Sequence, residues 1–283
     1  MPSVLVTGAA RGIGRSIATH LAATGWEVIA GVRTEENGAA IMAVDPRRIS
    51  SVLLDVTDSE QIAALDDSLP DRLDAVVNNA GVMVCGPIET VSPAELRRSF
   101  EVDVVGQLAV TQAVLPRLRR SQGRIVFISS VGGRVSVPLA GPYSASKFAI
   151  EAAADALRME LRPWRIAVVV IEPAQTDTDM LRTAEALVND TAAAMSSEQR
   201  GLYGRHLIGL KKSIPMSQRL AGPPEKVAAV VAEALTARRP RARYLVGVGP
   251  KLQVAAVTIL PAAVRDSLLR LVCSQPGHRC DSL

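Results

Sequence analysis

Two side chains four residues apart form the pair in this sequence most clearly suited to proton transfer. Tyr143 and Lys147 belong to the run Tyr-Ser-Ala-Ser-Lys, and on a helix such positions share one face. A phenol with an ordinary pKa of about 10 is a poor base at neutral pH, but a neighbouring ammonium favours the phenolate. Ser130 follows an apolar run thirteen residues earlier, where its hydroxyl could bind a carbonyl oxygen. These residue types predict acid–base chemistry at a hydroxyl or carbonyl group.

A glycine-rich turn near the N-terminus predicts a site for a dinucleotide. The run Thr-Gly-Ala-Ala-Arg-Gly-Ile-Gly begins at Thr7, after an apolar run and before a helical pattern. Glycines let the backbone turn sharply and approach a pyrophosphate at the positive end of the helix. The spacing differs from the common G-x-G-x-x-G, but the flanking strand and helix are the context that such a site requires. The residues expected to contact the cofactor here are Gly8, Arg11, Gly12, Ile13 and Gly14.

The end of the second predicted strand favours NADP over NAD. An acidic residue there would hold the ribose hydroxyls and repel a 2′-phosphate, but the sequence has Val32 followed by Arg33. Arg11 can reach the same region, and two guanidinium groups suit a phosphate dianion. Two alternatives remain open, because Glu35 and Glu36 lie nearby and Arg33 could be a solvated loop residue.

Short apolar runs alternate with helical patterns along most of the chain. Such runs are typical of parallel strands that are buried on both faces. They are Val4–Val6, Val28–Val32, Val52–Leu54, Ala75–Val77, Ile125–Ile128, Ala167–Ile171 and Tyr244–Val246. The helical patterns are Gly12–Thr24, a helix capped by Asp58 with Gln61, one capped by Ser92 with Glu95, Tyr143–Leu161, and one from Gly222 to about Ala237. The alternation predicts a single doubly wound α/β domain of the Rossmann type over residues 1–250, with seven parallel strands and helices on both faces.

Two segments depart from this alternation. Residues 179–221 form a long insertion of mixed polarity, and long excursions inside compact domains are typical of lids and binding loops. Residues 251–283 form a C-terminal extension, which continues an apolar stretch that begins at Pro250. That stretch is expected to be a helix packed on the core or on a partner subunit, or alternatively a helix lying on a membrane surface.

Composition excludes several classes of function. The formal net charge is +4, but residues 238–283 hold eight Lys and Arg against two Asp, so the basic character belongs to the tail. Aromatic residues make up only 3%, which argues against a base-stacking surface for nucleic acid. Cys85, Cys273 and Cys280 form no metal-binding spacing, so no metal is expected. With no run of 18 apolar residues and Val4 following Met1-Pro2-Ser3 directly, neither a membrane span nor a signal peptide is expected, and we expect a cytoplasmic protein.

Taken together, these motifs resemble the short-chain dehydrogenase/reductase family. The resemblance covers about residues 3–250. Its marks are Thr7–Gly14, Asp55-Val56, Asn78-Asn79-Ala80-Gly81, Ser130, Tyr143 with Lys147, and Pro173 through Thr178. The segments after Ser130 and around Tyr143 are also similar to the branch that includes 17β-hydroxysteroid and retinol dehydrogenases.

The resemblance implies a role for each matched residue. Tyr143 would be the acid/base, Lys147 would bind the nicotinamide ribose and favour the Tyr143 phenolate, and Ser130 would orient the substrate. Hydride would move to or from the B face of the ring. The remaining cofactor contacts would be Asp55 and Val56 at the adenine, Asn79, Ala80 and Gly81 beyond the fourth strand, and Pro173, Thr176 and Thr178 at the carboxamide.

The chain departs from the family pattern at two positions. Ala174 replaces the usual glycine of the nicotinamide loop, which is a mild change. Asp103 stands where the family has the asparagine of its catalytic tetrad, a residue that perturbs its helix so that a backbone carbonyl can hold a water near the lysine. Either Asp103 takes over this role, with a negative charge near Lys147, or it turns outward and bonds only locally.

The sequence therefore predicts an NADP-dependent alcohol dehydrogenase or carbonyl reductase for an apolar or lipid-like substrate. One alternative is a cofactor-binding sensor or partner-binding protein with weakened catalysis, which Asp103 favours. A 3-oxoacyl-thioester reductase is another. The small residues Ala149, Ala152, Ala153 and Ala156 could let two copies pack closely, together with the helix near Leu96–Leu118, and this favours a homodimer.

Overall fold

Seven parallel strands form one sheet in the computed structural model, which describes residues 1–247, 260–273 and 275. The strand order is β3-β2-β1-β4-β5-β6-β7. The strands are β1 (Ser3–Thr7), β2 (Glu27–Val32), β3 (Ile49–Leu53), β4 (Ala75–Asn78), β5 (Arg124–Ile128), β6 (Ala167–Pro173) and β7 (Arg243–Val246). The sheet confirms the predicted doubly wound α/β fold.

Helices cover both faces of the sheet. They are α1 (Gly12–Ala23), α2 (Glu35–Met42), α3 (Ser59–Ala63), α4 (Leu65–Ser68), α5 (Pro93–Phe100), α6 (Gln107–Ser121), α7 (Gly141–Glu160), α8 (Asp179–Arg182), α9 (Ala184–Ala194), α10 (Ser197–Arg219), α11 (Pro224–Thr236) and a C-terminal helix (Ala262–Val272). One apolar cluster joins the sheet to α1 and α11, with Ile17 and Val231 among its members. A second joins the opposite face to α6 and α7, with Val114 and Ile150.

The strand order reverses at β1, which pairs with β2 on one side and with β4 on the other. In open α/β sheets a crevice forms at such a switch point, beyond the carboxyl ends of the strands, and ligands bind there. The glycine-rich turn follows β1, and Asn79 follows β4. The fold thus brings both motifs to the same crevice.

Several helix starts agree with the predicted capping residues. The Asp58 carboxylate accepts hydrogen bonds from the Glu60 and Gln61 N–H groups at the start of α3. Ser92 and Glu95 form a reciprocal capping box at α5. Gly25, at φ +97°, lies in the left-handed region that closes α1.

The predicted third strand, Val52–Leu54, was placed too late in the chain. The strand spans Ile49–Leu53 and includes Ser50 and Ser51. It lies at the edge of the sheet, where one side of the ladder is open and full apolar burial is not required. An apolar run was therefore the wrong signal for this strand.

The insertion at 179–221 is largely helical. Its helices share a separate apolar cluster with Leu139, which precedes α7; the buried members are Leu139, Val188, Met195, Leu207 and Ile214. The predicted boundary at residue 250 and the apolar stretch from 250 to 259 lie outside the described residues. The C-terminal helix leaves Val264, Leu268 and Leu271 exposed, so its contact with a partner subunit or a membrane surface stays a prediction. No helix among the described residues combines the length and hydropathy needed to cross a membrane.

Candidate active site

The glycine-rich turn is too tight for side chains at its critical positions. Gly8 and Gly12 have φ values of +64° and +54°, which favour glycine. A Cβ on Gly14 would lie 2.3 Å from the Gly8 carbonyl oxygen and 2.4 Å from Asn79 Nδ2. The turn can therefore bring its backbone close to a ligand only because these positions lack side chains.

The N-terminus of α1 is available to an anion. Its N-cap residue, Arg11, is extended and makes no side-chain capping bond to the described residues. The first N–H groups of a helix have no partner within the helix, and together with the helix dipole they favour negative charge. A cofactor pyrophosphate fits this arrangement, because the uncapped N–H groups can donate to its oxygens.

Asn79 has a structural task that the sequence did not reveal. Its side-chain amide donates to the backbone oxygens of Thr7 and Gly8 at 3.0 and 3.2 Å. The Thr7 hydroxyl in turn accepts from the N–H groups of Asn79 and Ala80 at 2.9 and 3.0 Å. This network fastens the glycine-rich turn to the end of β4. The expected cofactor contacts of Asn79, Ala80 and Gly81 stay predictions.

The end of β2 carries opposite charges close together. Arg11 and Arg33 are exposed at the crevice. Burial acts to raise the pKa of Asp55, but hydrogen bonds from the Thr57 backbone and hydroxyl and the charge of Arg33 outweigh it, and the pKa lies below its usual value. Arg33 therefore lies within electrostatic reach of Asp55, one of the residues expected at the adenine. Val56, also expected there, is buried.

Ser130 and Tyr143 both lie close to Gly132. A Cβ on Gly132 would be 3.1 Å from the Tyr143 ring atom Cε1 and 3.5 Å from Ser130 Oγ. The Ser130 hydroxyl accepts a hydrogen bond from the Gly132 N–H at 3.0 Å. The fold thus brings together the hydroxyl-bearing residues expected to meet the substrate oxygen.

Lys147 lies near this pair and is buried, with only 4% of its surface exposed. Its ammonium is 5.7 Å from the centre of the Tyr143 ring and donates to the Ile128 carbonyl at 3.3 Å. The predicted i, i+4 relation on α7 is present, since the helix spans Gly141–Glu160. The positive charge is therefore held close to the phenol by the end of β5.

Asp103 points into the protein, so the outward-facing alternative is wrong. It lies in a π-helical turn, Glu101–Gly106, between α5 and α6, and is fully buried. Its carboxylate accepts from the Val82 N–H at 2.9 Å and from the Ser146 hydroxyl at 2.8 Å. Lys147 Nζ is 4.0 Å from Asp103 Oδ1. The carboxylate is thus an integral part of the site.

Sequence reasoning missed two partners of this region. Ser146 contacts both Asp103 and, at 2.9 Å, the Tyr143 carbonyl oxygen. The buried Gln107 donates from its side-chain amide to the Ala80 carbonyl at 2.7 Å. The spacing of Ser146, three residues after Tyr143 on one helix face, was the available signal. No such signal marked Gln107, because the residue that it contacts, Ala80, is 27 residues away in the sequence.

The loop after β6 folds back over the glycine-rich turn. Thr176 pairs with Gly222 in an isolated parallel bridge, and its hydroxyl donates to the Ala174 carbonyl at 3.1 Å. A Cβ on Gly12 would be 3.4 Å from Thr178 Cγ2. Pro173, which ends β6, is buried. This places Thr178, one of the three residues expected at the nicotinamide, beside the turn expected to hold the phosphates.

The insertion is fastened to the rim of the crevice. The Tyr203 hydroxyl bonds to the Glu89 carboxylate, and the Thr191 hydroxyl to the Cys85 carbonyl. Burial raises the pKa of the Cys85 thiol to about 11, so this thiol is unsuited to act as a nucleophile. Beside the insertion, a cavity of about 370 Å³ lies between the segment before Tyr143 and the C-terminal helix; its lining is Ile88, Ser136, Val137, Pro138, Leu139, Gly141, Asp266, Leu269 and Arg270.

Metal ligands do not come together in the part of the chain that the structure describes. No group of three His, Cys, Asp or Glu side chains there could hold an ion.

The chain is similar to several known proteins. The family model for short chain dehydrogenase matches residues 2–188. Retinol dehydrogenase 5 of Mus musculus is 31% identical over 97% of this chain and 90% of its own. The NADPH-dependent 3-dehydrocapnine reductase of Ornithobacterium rhinotracheale is 33% identical over 95% of this chain and 96% of its own. The crystal structure of a short-chain dehydrogenase from Streptomyces avermitilis superimposes with a TM-score of 0.75 at 30% identity, covering 94% of both chains.

Proposed function

Because this chain belongs to the short-chain dehydrogenase/reductase family of NAD(P)-dependent oxidoreductases acting on CH–OH groups, we propose that it is an NADP-dependent enzyme for an apolar or lipid-like alcohol or ketone. The observation that carries the proposal is that Ser130 and Tyr143 both lie close to Gly132, with the buried Lys147 5.7 Å from the centre of the Tyr143 ring. We expect a carbonyl oxygen bound beside Gly132 to contact the hydroxyl groups of both residues.

Each of these side chains has a distinct task in the proposed reaction. The bound nicotinamide supplies or accepts the hydride at the carbon of the substrate. In the direction of reduction, Tyr143 gives its phenolic proton to the substrate oxygen while the Ser130 hydroxyl donates a hydrogen bond to it. In the direction of oxidation, the Tyr143 phenolate takes the alcohol proton. The Lys147 ammonium stabilises that phenolate and would also bind the ribose.

The preference for NADP rests on charge at the mouth of the crevice. Arg11 and Arg33 are both exposed there, and Val32 provides no carboxylate at the end of β2. A relative that shares a third of its residues with the chain is named NADPH-dependent. Asp55 is the neighbouring negative charge, but its hydrogen bonds from Thr57 hold its carboxylate in place.

An apolar substrate suits the surroundings of the site. Four of the five buried members of an apolar cluster come from the insertion, and the fifth is Leu139, four residues before Tyr143. We therefore propose that residues 179–221 form a lid over the substrate and that residues 1–250 constitute the catalytic domain. The relatives named retinol dehydrogenase support the same class of substrate, because retinol is an apolar alcohol.

A sensor or partner-binding role is the second candidate, and one observation favours it. The buried Asp103 places a negative charge 4.0 Å from Lys147, which opposes the positive charge that Tyr143 needs. This candidate predicts that NADPH binds and that no carbonyl compound or alcohol is turned over.

The proposal is tested with a panel of retinoids, hydroxysteroids, long-chain ketones and 3-oxoacyl thioesters, assayed with NADPH and NADH. We expect turnover of an apolar member with NADPH. Tyr143→Phe should retain NADPH affinity and lose about 10²–10⁴-fold in kcat. Tyr244→Phe, on β7, is the matched control and should remain active. Turnover of thioesters alone would replace the proposed substrate class, and a Tyr143→Phe variant with normal kcat would refute the proposed acid/base.

We also propose a homodimer and a cytoplasmic location. Phe148 on α7 is 45% exposed and Val105 in the π-helical turn is 50% exposed, and Ala152 is exposed on the same helix as Phe148. A second copy would cover these apolar groups. The free thiols of Cys85 and Cys273 suit a reducing compartment. Light scattering at micromolar concentration should give twice the monomer mass, and a monomer mass would refute the dimer.

A further inference from the structure

A chain of charged side chains joins the two segments that carry the catalytic residues. It runs from the segment after β5, across the carboxyl end of β6 and the start of β7, to α7. The four residues, called the ion chain below, are Arg134, Glu172, Arg243 and Glu151. None of them belongs to the acid–base machinery proposed above, and two of them are carboxylates buried in the protein.

The contacts along the ion chain are continuous. Arg134 Nη1 lies 3.2 Å from Glu172 Oε1, and Arg243 Nε lies 3.4 Å from the same oxygen. Arg243 Nε also donates to Glu151 Oε2 at 2.9 Å. Its Nη2 reaches Asp155, one turn further along α7, at 2.7 Å. Arg243 thus binds two carboxylates of α7 through two nitrogens of its guanidinium group.

Because the two carboxylates of the ion chain are buried, their ion pairs favour one arrangement of the segments that carry them. The side chains of Glu172 and Glu151 are 4% and 6% exposed, and a buried charge is costly unless it is paired and hydrogen-bonded. A buried ion pair contributes little net stability, yet breaking it by removing one partner is costly. The arrangement therefore penalises any displacement that would separate the carboxylates from the guanidinium groups.

The two ends of the ion chain are each four residues from a catalytic group. Arg134 follows Ser130 by four residues, and Glu151 follows Lys147 by four on α7. Between these ends the backbones are in close contact, because a Cβ on Gly133 would lie 3.1 Å from the Lys147 carbonyl oxygen. The ion chain fastens together the segment and the helix whose separation decides whether one oxygen can meet both hydroxyl groups.

We propose that the ion chain sets the distance between the Ser130 and Tyr143 hydroxyl groups, which makes Glu172 a positioning residue for catalysis. Glu172 acts through Arg134 on the Ser130 segment and through Arg243 on α7. The expected effect on kcat rests on the proposed function. The expected effect on the position of the Ser130 segment relative to α7 does not. A misplacement of reacting groups by about 1 Å can cost about 10²-fold in rate, so a loosened ion chain would lower kcat.

A double-mutant cycle tests the coupling. Arg134→Met and Glu172→Gln should each lower kcat about 10- to 100-fold, while the Kd for NADPH changes less than about twofold because the glycine-rich turn is untouched. The double variant should lose no more than the worse single variant, because both changes break one contact. Arg134→Lys should recover part of the loss. Glu233→Gln, in the exposed Arg241–Glu233 pair, is the matched control and should leave kcat unchanged.

Hydrogen exchange supplies a readout that does not depend on turnover. With NADPH bound, Glu172→Gln should speed the exchange of amides in residues 129–135 and leave the glycine-rich turn unchanged. If the wild type turns over no substrate, the proposed function fails while this measurement still decides the structural claim. Unchanged exchange at 129–135 would overturn the ion chain as a positioning device. Normal kcat in the single variants, or losses that multiply in the double variant, would do the same.

Discussion

Replacing Asp103 by asparagine should move the pH dependence of alcohol oxidation downward. Asp103 and Lys147 are both buried, and Oδ1 lies 4.0 Å from Nζ. Two unit charges at this distance interact by about 4 kcal/mol at an effective dielectric constant of about 20. The carboxylate therefore cancels part of the positive charge that favours the Tyr143 phenolate, and removing it should let the phenolate form at lower pH.

The size of the shift follows from how much of this interaction reaches the phenol. The centre of the Tyr143 ring is 5.7 Å from Lys147 Nζ, so only part of the interaction reaches the phenol, and each 1.4 kcal/mol that does is worth about one pH unit. We expect the basic limb of the kcat profile to move down by about one unit in Asp103→Asn.

Asparagine should fit the site without leaving a polar group unpaired. Its side-chain oxygen can accept from the Val82 N–H as the carboxylate does. The Ser146 hydroxyl has one proton and faces two acceptors, Asp103 Oδ2 and the Tyr143 carbonyl. An amide nitrogen at the first position would donate to Ser146 and leave that proton for Tyr143. The substitution therefore isolates the effect of charge.

The assay is the initial rate of alcohol oxidation with NADP⁺ between pH 6 and 10. Glu101→Gln removes an exposed carboxylate from the same π-helical turn and should leave the profile in place. Superimposable profiles for wild type and Asp103→Asn, or a shift to higher pH, would show that the electrostatic reasoning is wrong.

Three further predictions follow from contacts elsewhere in the fold. Arg33→Ala should weaken the preference for NADPH over NADH by about 1–3 kcal/mol, the value of a charge-assisted contact, and equal affinities in the wild type by titration would refute the NADP assignment. Gly14→Ala should destabilise the protein by about 1–3 kcal/mol or more through the clash with Gly8 and weaken NADPH binding, whereas Gly204→Ala, which meets open space, should not; urea unfolding distinguishes them. Burial and the charge of Glu151 raise the pKa of Glu172, while Arg134 and Arg243 oppose them only in part. The folded state thus holds this proton more tightly than the unfolded chain, and the contribution of Glu172 to stability is lost as pH rises through the folded pKa. Glu172→Gln should gain stability relative to wild type as the pH rises above about 4.5, the ordinary pKa of glutamate, and a difference in unfolding free energy that stays constant over this rise would contradict the prediction.

The parts of the fold that local chemistry determines could be predicted from the sequence. Buried central strands such as Val4–Val6 are apolar because both faces are covered, and caps such as Ser92 act within a few residues. The glycine-rich turn was recognisable because its steric demands lie between its own residues and their neighbours. The position of Ser130 followed from the rule that strand ends meet in one crevice, and the shared face of Tyr143 and Lys147 followed from the period of a helix.

The rest depends on contacts between distant residues. Glu151 and Arg243 are 92 residues apart, so nothing local marked the ion chain. The insertion gave no clear helical period, since α10 contains Pro215 and exposes Ile208 and Met216. The inward direction of Asp103 depends on Val82 and Ser146, which only the folded chain brings to it.

Because of the π-helical turn at Glu101–Gly106, the number of residues between α5 and α6 affects the geometry of the site. A π turn closes i to i+5 hydrogen bonds and so holds one residue more than an α-helical turn. A chain shorter by a single residue between Phe100 and Gln107 could continue as uninterrupted α-helix, because its neighbours α5 and α6 are already helical. Each residue advances a helix by about 100°, so the half that precedes the deletion would rotate by that angle about its axis relative to the half that follows. One extra residue thus sets the rotation of α5 relative to α6. The direction of the Asp103 side chain depends on that rotation.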